Sequence, residues 1–287
     1  MAPAAPDRVV VVPVEAPARD QWRAAFADLR ATWDERRIWS LAAIIAVGNQ
    51  YRRTILGPWW TTLTTLIFVA GLSLLNLGLS GGDLRDTVPY VGIGFIVFFL
   101  ISGGVTSASN VYVGAGAQLS TSRQPYSTYV FRSVTTQVIT FGHEAVVILL
   151  LALAFAIPFT LAWGWSVVGV ALIVLSSIGL GMWLGPLVAR FRDIGPFVSA
   201  VMRLAFFLTP IFWSVDDVES NGVGWLAWLN PFTYQLLAVR DPILGTTHPS
   251  APIDPMVATL IIAVLNLVLG LIVFARTRAR IPYWVSG

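Results

Sequence analysis

The 287-residue sequence contains no cysteine, and its 18 basic residues are all arginine, so lysine is missing as well. Without cysteine the chain can form neither a disulfide nor a thiolate metal site, and it has no thiol nucleophile. Without lysine it cannot build a Walker A loop, in which a lysine reaches the nucleotide phosphates, and it cannot form a Schiff base. The chain therefore does not bind ATP in the P-loop manner by itself.

Charge of either sign is also scarce. Charged residues make up 11% of the sequence and apolar residues 56%, whereas a soluble domain has about 25% charged and about 45–50% apolar residues. A soluble fold with so few charges could not cover its surface with polar groups. The composition therefore predicts a protein whose main solvent is lipid.

Six apolar stretches are long enough to form transmembrane helices, each of which needs about 20 residues. We predict an all-α integral membrane protein whose transmembrane domain covers residues 58–275. Trp163–Trp165 is expected to form an interfacial turn between the third and fourth spans. The spans are predicted at about 58–80, 89–112, 134–157, 167–188, 196–213 and 255–275.

The arginines are distributed unevenly between the two sides of this arrangement. All except Arg85, Arg203 and Arg240 lie in segments on the side that also holds both termini. Basic residues are enriched in cytoplasmic loops. We therefore predict that both termini, including a tail over residues 276–287, face the cytoplasm.

Two regions precede the first span. Residues 1–19 are rich in proline and alanine and are expected to be a disordered tail rather than a signal peptide. Residues 20–57 are expected to form an interfacial amphipathic helix region, since apolar residues recur there at helical spacing. A helix packed on a soluble partner would give the same pattern and is the alternative. The recurring residues are Trp22, Phe26, Leu29 and Trp33.

Residues 214–254 include an apolar stretch, Val223–Gly245, that could form a seventh span. Asn230-Pro231 interrupts this stretch, and a seventh span would place the arginine-rich tail outside. We predict two short re-entrant helices that dip into the outer leaflet, with Asn230 as the N-cap and Pro231 as the first residue of the second helix. Such bent backbone needs protein or a water-filled cavity around it.

Few residues could carry chemistry. His143-Glu144 begins like a zinc-protease motif, but no second histidine follows at the required spacing, and His248 has no evident partner. His143, Glu144 and Arg203 lie within predicted spans, where a charge costs roughly 2.5–3.5 kcal/mol or more. They could line a polar conduit or form a proton relay, but we favour a structural Glu144–Arg203 pair between the third and fifth spans.

Four short motifs occur in an order that is typical of one protein family. They are Tyr51-Arg52-Arg53-Thr54-Ile55-Leu56-Gly57-Pro58-Trp59, Phe191-Arg192-Asp193-Ile194, Leu208-Thr209-Pro210-Ile211 and Leu229-Asn230-Pro231-Phe232. Together with six spans, they resemble the membrane subunits of type-2 ABC exporters. The resemblance is greatest to the permeases that export O-antigen, capsular polysaccharide or teichoic acid.

This resemblance implies the type-2 ABC exporter fold and a role in transport rather than catalysis. It implies a homodimer around a central path in the bacterial cytoplasmic (inner) membrane. Two copies of a separate ABC ATPase subunit would bind Mg-ATP and dock on the cytoplasmic face. The implied substrate is a lipid-linked polysaccharide, with membrane lipids as further partners. We expect no cofactor in this chain and no nucleic-acid partner.

The resemblance also implies three groups of functional residues. One group would meet the lipid pyrophosphate of the substrate at the entrance: Tyr51, Arg52, Arg53, Leu56, Gly57, Pro58 and Trp59. A second group would receive the motion of the ATPase: Gln118, Arg123, Gln124, Pro125, Tyr126, Arg192 and Asp193. A third group of aromatic residues would line the glycan path or its exit: Phe98, Phe99, Phe212, Trp213, Trp225, Trp228 and Tyr234.

Each group has a simpler explanation as well. Arg52 and Arg53 suit a phosphate because they are two fixed cations, yet they could equally be positive-inside anchors. The aromatic rings could lie against the apolar faces of sugars or form the belt common at membrane interfaces. In the coupling segment, Gln124-Pro125-Tyr126 stands where the family often has Phe-Pro.

Other functions remain as alternatives. A type-2 exporter of drugs or small amphiphiles would tend to lack the Leu56–Trp59 motif. A simple channel would need a charged set that repeats along a span. A membrane-embedded glycosyl- or acyltransferase would need convergent acids, although charge asymmetry alone also produces an acidic outer loop. The acids available for such an enzyme are Asp216, Asp217, Glu219, Asp241 and Asp254.

Overall fold

The computed structural model describes residues 17–57, 59–80, 83–121, 124–215, 219, 222 and 224–286. These residues form an all-helical protein without β-strands. The α-helices are α1 (Ala18–Asp34), α2 (Arg36–Gln50), α3 (Trp59–Ser80), α4 (Leu84–Asn110), α5 (Gly116–Thr121), α6 (Ser127–Ala154), α7 (Trp163–Arg190), α8 (Ile194–Leu208), α9 (Trp225–Leu229), α10 (Pro231–Leu244), α11 (Pro255–Thr277) and α12 (Ile281–Ser286). A 3₁₀ turn, Arg278–Arg280, joins the last two.

Five helices are long and apolar enough to cross a membrane, namely α3, α4, α6, α7 and the helix that begins at Pro255. They coincide with five of the six predicted spans. The predicted span at 196–213 corresponds to α8, which has 15 residues and is therefore only about 22 Å long. It ends at Leu208 because Thr209 precedes Pro210 and adopts extended geometry (ψ 138°), as residues before proline do. The six-span topology stays a prediction.

Several helices begin earlier than the hydropathy pattern predicted. The side chain of Asp83 accepts a hydrogen bond from the Arg85 amide at 3.0 Å, so α4 starts at Leu84 rather than near residue 89. Trp163–Trp165, predicted as a separate turn, forms the first turn of α7. Helix N-caps and first turns contain polar residues or a mixture of polar and apolar residues, so a search for apolar stretches misses them.

α4 and α7 lie side by side at the centre of the subunit, and α3, α6, α8, α10 and α11 pack around them. The main core is fully apolar, with Ile93, Ile96, Ile173 and Leu236 among its buried residues. A second core occupies the end of the subunit where α4 and α7 stop and α6 begins. It includes residues of α1 and of the C-terminal segment, so both chain ends are fixed to the same end of the bundle.

The contact between α7 and α11 is close enough to exclude side chains. A Cβ atom on Gly179 would lie 2.6 Å from the backbone nitrogen of Leu267. Asn266 bridges the same two helices, since it accepts from the Trp183 indole (3.0 Å) and donates to the Ser176 hydroxyl (3.0 Å). The small residues of α7 are therefore packing residues, as in other membrane helix pairs.

Two short helices form at the predicted position, and their re-entrant placement in the outer leaflet stays a prediction. Asn230 caps α10 by accepting from the Phe232 amide at 3.0 Å, and Pro231 is the first helical residue. Gly245 ends the helix in the left-handed conformation (φ 71°), which glycine adopts without a Cβ penalty. α10 packs against α4, α7 and α11, so protein surrounds its polar backbone ends.

The amphipathic N-terminal region is divided into α1 and α2. α1 begins at Ala18, so the end of the predicted disordered tail is helical, while residues 1–16 lie outside the described residues. Trp22 and Leu29 pack against the second core, whereas Phe26 and Trp33 are exposed. The predicted apolar face of α1 is therefore divided: Trp22 and Leu29 pack against protein, whereas Phe26 and Trp33 are available to lipid.

Candidate functional site

A tight turn connects α2 to α3 and carries the predicted entrance residues. The Thr54 hydroxyl donates to the Tyr51 carbonyl at 2.7 Å. Arg53 has a positive φ of 72° and Gly57 one of 55°, and few residues other than glycine adopt this region. This segment lies between the end of α2 at Gln50 and the start of α3 at Trp59. Pro58, the remaining entrance residue, lies outside the described residues.

The side chains of this turn are directed outward. Arg52 and Arg53 are exposed, and neither guanidinium group makes an ion pair or hydrogen bond with any residue that the structure describes. Ile55, Leu56 and Trp59 are exposed as well. Two guanidinium groups that no described acid neutralises thus lie beside three exposed apolar side chains. This combination suits an anionic lipid, whose headgroup would meet the arginines and whose acyl chain would meet the apolar side chains.

A polar cleft of about 480 Å³ opens between α2, α4 and α6. Gln50, next to the entrance turn, forms part of its wall, and α5 contributes Gln118. The Arg132 guanidinium donates to the Gln118 amide oxygen at 2.8 Å at one end of the cleft. Glu144 lies at the wall farther along α6 and is buried. The cleft thus has a guanidinium group at one end and a carboxyl group at the other.

The structure brings the entrance turn next to His143 and Glu144. The Trp59 ring meets the His143 ring edge-on, with centroids 5.7 Å apart. The Thr62 hydroxyl donates to the His143 carbonyl at 3.0 Å. Partial burial raises the pKa of the Tyr51 phenol, and the Glu144 carboxylate raises it further. Two groups predicted separately therefore belong to one site.

The favoured Glu144–Arg203 ion pair does not form. Glu144 is buried in the wall of the cleft, whereas Arg203 is exposed on α8, and no ion pair joins them within the described residues. α8 packs mainly on α4, which places Arg203 on a different face of the subunit. Helical spacing within each span could not reveal this separation.

The coupling residues gather at the end of the subunit that holds the second core. Asp28 of α1 is buried and accepts from the amides of Tyr126 (3.0 Å) and Ser127 (2.9 Å). It also accepts from the Ser127 hydroxyl at 2.6 Å and from the Arg278 guanidinium at 3.1 Å. An acid from α1 therefore caps α6, which explains why α6 begins at Ser127. Burial raises the pKa of Tyr126, although Arg278 lowers it in part.

Other predicted coupling residues lie nearby. Arg192 donates to the Val285 carbonyl of α12 at 3.2 Å, and α12 in turn packs against α5 and α7. Arg192, Asp193 and Gln124 are exposed, and Pro125 is half-buried. Arg123 lies outside the described residues. α1, α5, α12 and the start of α6 thus form one surface, which we call the coupling end.

The predicted path aromatics divide by burial. Phe99 and Trp225 are exposed, and Phe99 lines the polar cleft. Phe98 and Tyr234 are buried, since Phe98 packs edge-on against Phe206 and Tyr234 packs on Trp228. Phe212, Trp213 and Trp228 are half-buried. Phe98 and Tyr234 are thus core residues in this conformation.

Arg240 is a residue whose surroundings the sequence did not reveal. It was counted among outer-side charges, yet it is fully buried. Its guanidinium donates to the Pro210 carbonyl (2.6 Å) and the Tyr90 hydroxyl (3.0 Å) and lies over the Tyr90 ring. Tyr90 donates to the Trp213 carbonyl at 3.0 Å. Arg240 therefore fixes the non-helical segment after α8 to α4 and α10. In the sequence, the presence of an ionisable residue within an apolar helix was the feature that could have indicated this buried role.

The described outer acids make structural contacts rather than a convergent catalytic group. Asp254 caps α11 by accepting from the Met256 amide at 2.9 Å. Glu219 accepts from the Trp228 indole at 2.7 Å, and Asp241 accepts from the Thr246 hydroxyl at 2.9 Å. Asp216 and Asp217 lie outside the described residues.

The fold and site define a multi-pass, all-helical integral membrane protein with a polar cleft beside a cationic turn. Residues 41–244 match the ABC-2 type transporter family, and the chain belongs to this family. The assignment made from four motifs is thus confirmed. Family membership makes the chain a membrane subunit for transport and implies an ABC ATPase subunit as its partner.

One characterised relative is the O-antigen export system permease protein RfbA of Klebsiella pneumoniae. The two chains are 21% identical over 232 residues, which cover 80% of this chain and 88% of the relative. The similarity therefore extends over nearly the whole length of the relative.

Proposed function

We propose that this chain is the permease subunit of an ATP-driven exporter that moves a lipid-linked polysaccharide, such as an O-antigen or capsule glycan, across the bacterial cytoplasmic membrane. Family membership and the O-antigen export function named for the K. pneumoniae relative support this proposal. Both termini would face the cytoplasm, as the arginine distribution predicts.

The observation that carries the proposal is the composition of the entrance turn. A polyprenyl-pyrophosphate-linked glycan has an apolar chain, a doubly charged headgroup and a sugar. The turn offers exposed apolar residues, two exposed guanidinium groups without partners among the described residues, and an adjoining polar cleft. A small amphiphile would use the apolar residues but would leave the two cations without a matching anion.

The functional unit would be a homodimer with one ATPase subunit bound to each permease. Arg203 supports this arrangement, because an exposed cation on a membrane helix must face protein or water rather than lipid. We place the exposed face of α8 at the central path. The exposed ring of Phe207, one helical turn from Arg203 on α8, would accompany the glycan there.

The ATPase subunits, which would bind Mg-ATP, would dock on the coupling end. Their motion would reach α6 through Asp28, because this carboxylate joins α1 directly to the first turn of α6. α6 carries Glu144 in the wall of the cleft. Movement of α1 would thereby change the shape of the substrate site.

The test is ATP hydrolysis by the permease–ATPase complex in liposomes that contain lipid-linked glycan. The variant Arg52→Gln/Arg53→Gln should raise the half-saturating glycan concentration by roughly tenfold to a hundredfold, since charge-assisted hydrogen bonds to phosphate are lost. The control Arg36→Gln/Arg37→Gln removes two exposed arginines from α2 and should leave that concentration within about twofold.

Two results would contradict the proposal. If both double variants change the half-saturating glycan concentration equally, Arg52 and Arg53 act only as membrane anchors and not as a pyrophosphate site. If a small amphiphilic drug stimulates hydrolysis and the lipid-linked glycan does not, the chain is instead a type-2 exporter of small amphiphiles.

A further inference from the structure

The polar cleft between α2, α4 and α6 contains more hydrogen-bonding capacity than its own contacts use. Amide side chains line it on three sides, with Gln50 on α2, Asn110 on α4 and Gln137 on α6. Glu144 contributes a carboxylate with no hydrogen-bond or ion-pair partner among the described residues. Polar groups in a membrane protein must face protein, water or a polar ligand. An acyl chain would leave these polar groups without hydrogen-bond partners.

The charges of the cleft restrict the chemistry of its occupant further. Among the described residues, the Glu144 end offers no cation to a phosphate or a carboxylate, and the Arg132 end is already engaged with Gln118. A neutral, hydroxyl-rich group fits both ends, because hydroxyls donate to a carboxylate and accept from amides. Phe99 and Phe141 also line the cleft, and ring faces of this kind pack against the apolar face of a sugar.

The position of the cleft next to the entrance turn indicates which end of a bound ligand would lie at the turn and which end would lie in the cleft. Gln50 is a wall residue, and the next three residues carry the Tyr51 phenol and the two exposed guanidinium groups. A pyrophosphate held by Arg52 and Arg53 would thus have its attached sugar at the opening of the cleft. The volume of about 480 Å³ lies within the range of roughly 300–1,000 Å³ found for small-ligand sites.

We propose that this cleft is a binding site for the first sugar attached to the lipid pyrophosphate, with Glu144 accepting hydrogen bonds from its hydroxyls. The inference rests on the proposed function and adds a subsite to it. It makes the identity of the first sugar, rather than the length of the polymer, the feature that this part of the permease recognises.

Gly103 allows the cleft to be filled without disturbing the fold. It lines the cleft, and a Cβ atom at this position would meet nothing within 4 Å. Gly103→Trp therefore places a large ring in the space assigned to the sugar. Gly142→Trp is the matched control, because Gly142 on α6 has equally open surroundings and lies outside the cleft lining. Glu144→Gln, which keeps the side-chain volume, is a second and independent variant.

The experiment measures dissociation constants of the permease–ATPase complex in nanodiscs. The probes are bare polyprenyl pyrophosphate and the same lipid carrying one hexose or one N-acetylhexosamine. Wild type should bind at least one sugar-bearing probe about tenfold more tightly than the bare lipid, the factor that one or two net hydrogen bonds supply. Gly103→Trp should abolish this gain and leave the affinity for the bare lipid unchanged, while Gly142→Trp retains it.

Glu144→Gln should reduce the gain several-fold and leave binding of the bare lipid unchanged, since Arg52 and Arg53 rather than Glu144 would hold the pyrophosphate. The cleft assignment is overturned if wild type binds all three probes equally, or if Gly103→Trp keeps the gain. If wild type binds none of the three probes, the proposed export of lipid-linked glycans fails as well.

Discussion

Asp28 joins three separate parts of the chain through one buried carboxylate. Its four hydrogen bonds come from two backbone amides, one hydroxyl and one guanidinium group, at 2.6–3.1 Å. Donors to a carboxylate form stronger hydrogen bonds than donors to a neutral acceptor. The residue therefore holds α1, the start of α6 and Arg278 in one arrangement.

Replacing Asp28 with alanine should lower the free energy of unfolding by about 2–4 kcal/mol, because a partly buried guanidinium and several buried donors lose their acceptor. The measurement is denaturant titration of the purified permease in mixed micelles. The control is Asp34→Ala, which removes an exposed acid from the same helix and should change stability by no more than about 0.5 kcal/mol. Equal losses in the two variants would show that Asp28 contributes only as a surface charge.

Arg240 illustrates why single residues are hard to place from sequence. Its partner Tyr90 is 150 positions away, and Pro210 belongs to a segment that the hydropathy pattern assigned to a continuous span. The same limit applies to the Glu144–Arg203 pair, which was inferred from two charges in the third and fifth predicted spans. Packing decides which face of a helix contacts each neighbouring helix. In apolar spans, polar and apolar residues do not alternate with helical periodicity, so the sequence does not reveal which face that is.

At the level of helices, the close approach of α7 and α11 depends on glycine. Gly270 approaches the same point from the other helix, where a Cβ atom would lie 3.1 Å from the Gly179 Cα. Lipid does not drive helices together as water does, so backbone contact of this kind supplies much of the association. The two glycines therefore determine how near the helices can come.

Gly179→Ala should destabilise the protein by about 1–3 kcal/mol, because the added methyl group forces the two backbones apart. Gly164→Ala is the control on the same helix, since a Cβ atom there meets nothing within 4 Å. It should be neutral or stabilising by less than about 1 kcal/mol through helix propensity. Thermal retention of monodisperse protein in size-exclusion chromatography gives the comparison, and similar losses for both variants would refute the packing role.

The existence of the long helices and of the α9–α10 pair could be predicted, whereas several boundaries could not. Hydropathy detects spans because lipid imposes a minimum apolar length, and Asn230-Pro231 is a local capping signal. The start of α6 depends on Asp28, which lies 99 residues earlier in the chain. No local sequence pattern contains that information. For the candidate site, the entrance motif was recognised, but its contact with the cleft required the tertiary structure.

At the level of the whole molecule, the absence of cysteine makes the predicted orientation directly measurable. In a Ser250→Cys variant, a membrane-impermeant maleimide should label intact spheroplasts, because this exposed residue precedes the last span on the predicted outer side. A Thr121→Cys variant should be labelled only after permeabilisation. The wild-type chain, which has no thiol, is the background control, and the reverse labelling pattern would invert the topology.

The contact between Asp28 and Arg278 also has a consequence for biosynthesis. The two residues are 250 positions apart, so a ribosome completes the second long after it has released the first. Three donors to Asp28 come from Tyr126 and Ser127 at the start of α6, but the fourth, Arg278, becomes available only after the last membrane helix has been made. A chain that ends before Arg278 would lack the cation that pairs with this buried acid. Completion of the contact between α1 and the C-terminal segment would therefore have to follow completion of synthesis.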